Sequence, residues 1–278
     1  MKQLLRNQIF NVYTISTFFL IPVIVLICWI ADTALISSWN LVYDTPSGPI
    51  TYLQFLQSFG VVSFVSTNSF HGLTFVLPLL ASLSIGYFFQ IKRGLFSNAY
   101  LRVPSCGRFI WKQILVSLLI SMIVFYLGFL LILGYALITR PIRTDMKEMH
   151  VLFGELGVDF WKTHPIIYLL LEGVIRFCYY PFSYGLMAIA ISLYTEKIYF
   201  YLLLPVVYHL VTSQVLSIVA MESNLNWLRL FAPQVGMHTE AMAELAVPIY
   251  YPLLSMFPVL IFSIIMIQYW IRKRRLWE

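Results

Sequence analysis

The 278-residue chain is 60% apolar and only 11% charged, with a mean hydropathy of +0.82. A water-soluble protein of this size could not cover so much apolar surface, so the composition excludes the soluble globular class and predicts a polytopic membrane protein. The net charge of +6 comes from cations that cluster at the ends of apolar runs, which argues against a nucleic-acid-binding face.

The chain begins with a short amphipathic pattern. Leu4, Leu5 and Ile9 share one side of a helix, while Lys2 and Arg6 fall largely on another. This pattern predicts a helix that lies in the inner membrane interface. The apolar run that follows exceeds the length of a signal-peptide core and precedes no small-residue cleavage site, so we expect it to remain as the first membrane span.

Six apolar runs approach the length of about 20 residues that a spanning helix needs. Prolines interrupt several of them, which neighbouring helices in a bundle can tolerate. The prediction is an all-α membrane protein with one transmembrane domain over residues 1–278. The predicted spans are Val12–Ile36, His71–Ile91, Gln113–Ile138, Pro165–Leu193, Tyr199–Ala220 and Ile249–Ile271.

The distribution of Lys and Arg predicts the orientation of these spans. With the N-terminus inside, twelve of the eighteen cations fall on the inner side, five fall outside, and Arg176 lies within a span. Acidic residues also accompany the outer cations. Both termini are therefore predicted to be cytoplasmic, in the plasma membrane of what we expect to be a bacterium.

The outer side receives three connecting segments, Ser37–Phe70, Thr139–His164 and Met221–Pro248. The last of these contains enough apolar residues, beginning with the run NWLRLFAPQ, to enter the outer leaflet as short helices. We predict a re-entrant element here, with a solvated loop as the alternative.

Residues 92–112 form the longest inner loop and the strongest functional signal. They contain Lys92, Arg93, Arg102, Arg108 and Lys112 without one acidic residue. Five uncompensated cations beside membrane-length runs are typical of a cytoplasmic loop. Aromatic and aliphatic residues at helical spacing lie between the cations, and this pattern predicts a surface that docks a partner.

Several chemistries lack their usual motifs. The sequence contains no GxxxxGK[ST] phosphate loop, no HExxH and no GxSxG elbow. The five His are scattered, and His209, inside a span, is interpreted as a packing residue that forms a hydrogen bond. Three Cys suggest neither a disulfide framework nor a CxxC site. We expect no metal, cofactor or ATP site in this chain.

Glu172 and Arg176 are the most costly residues to bury in a bilayer. Their i,i+4 spacing places them on one face of the fourth span. Charges in a membrane pair with one another and face the bundle interior or a water-filled cavity. Two interpretations stay open: a structural ion pair, which we favour, or a polar point along a substrate path.

The whole layout resembles the ABC-2 type transporter permeases. The likeness rests on six spans, inner termini, the amphipathic start and a loop between spans two and three. That loop reads as a basic, Gly-containing stretch, an Arg–x–Pro turn and then a basic residue before span three. The residues in question are Lys92-Arg93-Gly94, Arg102-Val103-Pro104, Arg108 and Lys112, and LRLFAPQ is similar to the family's element before the last span.

The resemblance implies a permease subunit of an ABC exporter, possessing no enzymatic activity of its own. Two copies, or this chain and a paralogous permease, would surround one pathway above separate cytosolic ATPase subunits, which bind ATP and Mg. The loop would supply a coupling helix at Phe96–Arg108, and the Thr195–Ile198 turn would make a smaller contact. The implied coupling residues are Arg93, Gly94, Tyr100, Arg102, Pro104, Arg108 and Trp111, with Phe109 among the apolar contacts.

Cargo and mechanism have alternatives. Aromatic-rich spans suit an amphipathic or hydrophobic cargo such as a peptide, an antibiotic or a lipid-like molecule, and the layout is also similar to permeases that export antimicrobial peptides or bacteriocins. An intramembrane enzyme using Glu172, similar to CAAX-type proteases, is a second hypothesis. A secondary carrier is a third.

Overall fold

The structure is a computed structural model of the full chain, and its helices account for most of the residues that it describes. The described residues are 12–38, 42–45, 48–51, 61, 65, 71–89, 92, 106–140, 142, 160–223, 225–237 and 251–275.

Six long helices dominate the described residues, and four of them are long and apolar enough to cross a membrane. The four apolar stretches are Tyr13–Ala31, Gly107–Thr139, Pro165–Tyr194 and Ile198–Ser223. They mark the chain as a membrane protein and agree with the predicted first, third, fourth and fifth spans. The long helices are α1 (Val12–Ser38), α2 (His71–Ser84), α3 (Cys106–Thr139), α4 (Pro165–Tyr194), α5 (Ile198–Ser223) and α6 (Phe257–Arg275).

The uninterrupted apolar parts of α2 and α6 are shorter than those of the other four long helices. Helix α2 has 14 residues before a turn at Ile85, and helical structure resumes over residues 86–89. Helix α6 has 19 residues but ends in four consecutive cations, and a short helix, Tyr251–Leu254, precedes it. At 1.5 Å per residue each apolar helix covers about 20 Å, less than the roughly 30 Å of a hydrocarbon core.

One helix begins earlier in the chain than the span predicted for it. The predicted third span began at Gln113, whereas α3 begins at Cys106, seven residues earlier. Arg108 and Lys112 had indicated a loop, but both side chains are exposed on the helix while their neighbours are buried. Long cationic side chains can leave a helix sideways and reach water, so charge alone did not stop the helix.

Contacts between side chains give the relative directions of the first four helices. Gly128 of α3 packs against Val25 of α1, and further along both helices Trp29 meets Tyr135 edge to face with ring centroids 6.0 Å apart, so α1 and α3 run in parallel. Gly173 of α4 packs against Phe129 of α3, and Gly185, twelve residues later in α4, packs against Leu118, eleven residues earlier in α3. Helices α3 and α4 are therefore antiparallel.

The same reasoning extends to the remaining helices. The Tyr13 hydroxyl donates to Leu83 O at 2.7 Å, which sets the start of α1 beside the end of α2. The Tyr180 hydroxyl lies 2.8 Å from the Ser255 hydroxyl, and further along both segments the Tyr194 hydroxyl donates to Met266 O at 2.7 Å, so α4 and α6 run in parallel. Lys92, the start of α3, the Thr195 turn and the end of α6 consequently share one end of the bundle, named here the loop end.

Helix α4 is the central element. It contacts α2, α3, α5 and α6. In its apolar 18-residue stretch 67% of the residues are buried, against 17% in the corresponding stretch of α5. Exposed apolar side chains cover the outer faces of α1 and α5, as expected where helices meet lipid. The core consists of one cluster around Trp29, Phe129 and Phe177 and another around Phe88 and Trp270 at the loop end.

A five-residue π-helical turn, Ile175–Tyr179, interrupts α4. It comes immediately before Tyr180 and Pro181. Proline has no backbone N–H, and in a regular α-helix its ring would press on the carbonyl four residues earlier, here that of Phe177. A wider turn relieves this conflict, and such turns are frequent at functional sites.

The segments that follow α1 and α5 contain structure that the sequence did not predict in full. Strands β1 (Val42–Thr45) and β2 (Gly48–Thr51) form an antiparallel hairpin after α1, the one described exception to the helical fold. After α5 come two short helices, Asn226–Phe231 and Pro233–Met237. The N-terminal segment predicted to lie in the interface falls outside the described residues.

Candidate functional site

The site begins with Lys92, the first cation of the basic loop. Its ammonium group donates to the backbone carbonyls of Ser192 and Thr195, the latter at 3.1 Å. Both acceptors lie at the end of α4, where the last carbonyls of a helix have no partner within the helix. A cation there also complements the negative end of the helix dipole. Lys92 thus joins the start of the loop to the central helix.

The other end of the loop enters the membrane through the first two turns of α3. Arg108 and Lys112 are exposed, and Trp111 is half-buried. Phe109 is only 8% exposed because it packs into the cluster at the loop end, together with Ile110. Its predicted role as an apolar docking contact is therefore wrong: Phe109 anchors α3 in the bundle, and only the cations face outward.

The remaining predicted coupling residues cannot be placed. Arg93, Gly94, Tyr100, Arg102 and Pro104 fall outside the described residues. What the structure brings together is the two flanks of the loop, Lys92 on one side and Arg108 with Trp111 on the other.

The turn between α4 and α5 lies next to the Lys92 contact. Lys197 donates its backbone N–H to the Thr195 hydroxyl at 3.2 Å, which orders this short turn. The Lys197 ammonium lies 5.9 Å from the centroid of the Tyr199 ring, a cation–π distance. Glu196 and Lys197 are both exposed. The Thr195–Ile198 turn and the described flanks of the basic loop therefore both lie at the loop end.

The second candidate site is the Glu172–Arg176 pair, which the structure forms as the i,i+4 spacing predicts. Arg176 Nη2 lies 2.8 Å from Glu172 Oε1, and the two residues are 3% and 2% exposed. Gly173 between them admits the ring of Phe129: a Cβ atom at Gly173 would lie 2.3 Å from that ring. Packing of the Phe129 ring against Gly173 thus helps to bury the ion pair beside α3.

Two tyrosines next to the pair, Tyr179 and Tyr180, connect α4 to the chain before α6, a contact that no local sequence pattern indicates. The Tyr180 hydroxyl lies 2.8 Å from the Ser255 hydroxyl. Tyr179 donates to the carbonyl of Leu253. Leu253 belongs to the short helix Tyr251–Leu254, which breaks at Ser255 before α6 begins. The two tyrosine hydroxyls therefore provide hydrogen-bond partners for polar groups at the break, which would otherwise have none in apolar surroundings.

His209 has the packing role proposed for it. Its imidazole Nδ1 lies 2.6 Å from the Tyr184 hydroxyl, and both side chains are fully buried between α4 and α5. Among the described residues no group of three His, Cys, Asp or Glu is placed to hold a metal ion.

Compared with known proteins, the chain matches no family model, no curated protein and no solved structure. Its function is therefore inferred from its own residues.

Proposed function

We propose that the chain is the permease subunit of an ATP-driven exporter of the ABC-2 type. The single observation that carries this proposal is the pair of hydrogen bonds from Lys92 to the end of α4. A force applied to the basic loop by a cytosolic partner would reach the central helix through this contact. The chain itself would bind neither ATP nor Mg, which belong to the partner ATPase.

The route of the force continues from α4. Because α4 contacts α2, α3, α5 and α6, a displacement of its loop end moves against most of the bundle. The outward-facing cations Arg108 and Lys112, together with Lys197 in the neighbouring turn, offer positive charge to an acidic rim on the partner. Such charges set the register and the rate of docking more than its affinity.

The proposed topology has six spans with both termini inside. In support, successive long helices reverse direction, and described cations gather at the loop end. The proposed re-entrant element has support from Gln234, whose backbone N–H donates to the Ser213 hydroxyl at 3.2 Å. Ser213 precedes the end of α5 by ten residues, about 15 Å along the helix.

The proposed assembly has two permeases, either identical or paralogous, around one pathway. The proposed cargo is amphipathic or hydrophobic, such as a peptide, an antibiotic or a lipid-like molecule, and moves outward across a bacterial plasma membrane. The apolar, aromatic-rich bundle supports this cargo class.

The experiment is a pull-down of the full chain in mild detergent, with identification of every subunit, followed by reconstitution. Charge reversal of Arg102 and Arg108 to Glu should abolish transport-coupled ATP hydrolysis. The matched control reverses Arg143 and Lys162, two cations predicted to lie outside, and should leave coupling intact. A chain that purifies without any ATPase, or coupling unchanged by the first double substitution, would contradict the proposal.

The two alternatives predict other outcomes. An intramembrane enzyme requires the Glu172 carboxylate, so Glu172→Gln would abolish hydrolysis of a peptide in a purified preparation that contains no ATPase. A secondary carrier would keep transporting when ATP is depleted and the ion gradient is held.

A further inference from the structure

A cavity of about 300 Å³ lies between α1, α2 and α5 at the loop end. Tyr13 covers it from α1, and Gly86 makes room for that phenol: a Cβ atom at Gly86 would lie 2.1 Å from the Tyr13 hydroxyl oxygen. Phe89 and Tyr201 close the far wall, with ring centroids 3.9 Å apart. The volume is at the lower end of the roughly 300–1,000 Å³ that ligand pockets span.

The walls of this cavity favour an apolar occupant over water. The Tyr13 hydroxyl donates to Leu83 O at 2.7 Å, and the Ser82 hydroxyl donates to Pro78 O at 2.9 Å. The two hydroxyl hydrogens therefore already form hydrogen bonds within the protein. A buried water requires two to four polar partners, and five of the eight lining residues have no polar side-chain group: Leu83, Gly86, Phe89, Ile198 and Leu202.

The cavity is open to the surface of the bundle. Two of its lining residues, Leu83 and Ile198, are 37% and 50% exposed. In a membrane the exterior of a bundle faces acyl chains. The lining also begins close to the bilayer surface, since Tyr13 is the second residue of α1 and Ile198 is the first of α5.

We propose that this cavity binds one acyl chain of a phospholipid from the leaflet at the loop end. The α2 wall from Ser82 to Phe89 is seven residues deep, about 10 Å, which accommodates the upper part of a single chain. The acyl chain occupies the space bounded by Tyr13 of α1, by the end of α2 and by the start of α5. The site goes beyond the proposed function, because it requires neither an ATPase nor a transported cargo.

The test reconstitutes the full chain in nanodiscs containing a phosphatidylcholine with a photoactivatable diazirine in its acyl chain. Cross-linked peptides are identified by mass spectrometry. Labelling should concentrate on the lining residues Leu83, Phe89, Ile198 and Leu202, at least fivefold above the lipid-facing Leu119 of α3.

Two variants on α5 make the test specific. Leu202→Trp fills the cavity and should lower its labelling at least fivefold. Leu203→Trp places the same ring on the next residue, which is 52% exposed and absent from the lining, and should leave labelling unchanged. If Leu202→Trp does not yield a monodisperse protein, Leu202→Phe replaces it with a smaller increase in volume.

Uniform labelling of lining and lipid-facing residues would overturn the proposal, as would cavity labelling that persists in a folded Leu202 variant. Failure of the pull-down with an ATPase would leave this result untouched, so the two proposals can fail separately.

Discussion

Removing the Glu172 carboxylate while keeping Arg176 is expected to destabilise the protein strongly. The pair is 2.8 Å apart and almost fully buried. Separating such a pair by removing one partner costs about 3–5 kcal/mol, because the other charge remains in a medium that solvates it poorly. We therefore expect Glu172→Leu to lower the free energy of unfolding by that amount.

Replacing both members gives the informative contrast. A double variant, Glu172→Leu with Arg176→Met, removes the charges together, and replacement of a buried ion pair by apolar residues is often neutral or stabilising. We expect it to recover most of the loss, so the double variant should be more stable than Glu172→Leu by about 3 kcal/mol. The assay is reversible unfolding in bicelles, monitored by steric trapping.

The result that would refute this reasoning is a single-variant cost below about 1 kcal/mol, the range of an exposed pair. Transport measured on the same variants separates the two interpretations of the pair. A stable double variant that still transports identifies a structural ion pair. A stable double variant without transport places the pair on the cargo path.

Two further predictions concern packing and the loop contact. Gly173→Ala should lower the free energy of unfolding by about 2 kcal/mol, because overpacking against the buried Phe129 ring costs about 3 kcal/mol while the higher helix propensity of Ala contributes about 1 kcal/mol. Gly134 has open space around it, so Gly134→Ala should raise the free energy of unfolding by about 1 kcal/mol in the same assay. Lys92→Gln should leave ATPase co-purification intact but reduce transport per ATP hydrolysed, since it weakens the hydrogen bonds to Ser192 and Thr195. The control Lys92→Arg keeps the charge and should retain more of the coupling between ATP hydrolysis and transport.

Much of α4 could be predicted from the sequence. A long apolar run predicted Pro165–Leu193, and the helix occupies Pro165–Tyr194. The Glu172–Arg176 contact also followed from spacing, because i,i+4 geometry is local. Both features depend on residues within a few turns of one another.

Contacts between distant residues could not be predicted in this way. Tyr180 and Ser255 are 75 positions apart, and nothing near either one indicates the other. The early start of α3 could not be predicted for a different reason: Arg108 and Lys112 indicated a loop, although burial of Phe109 holds that segment in the helix. Tertiary packing decided both cases.

The π-helical turn in α4 has a consequence for the phase of that helix. A wide turn accommodates an additional residue, so everything before Ile175 is rotated relative to an uninterrupted α-helix. Deleting one residue within 175–179 would restore regular winding and turn the Pro165–Val174 segment by about 100°. Glu172 would then leave its buried position and face a different neighbour. The location of this charge in the bundle thus depends on helical phase as well as on residue identity.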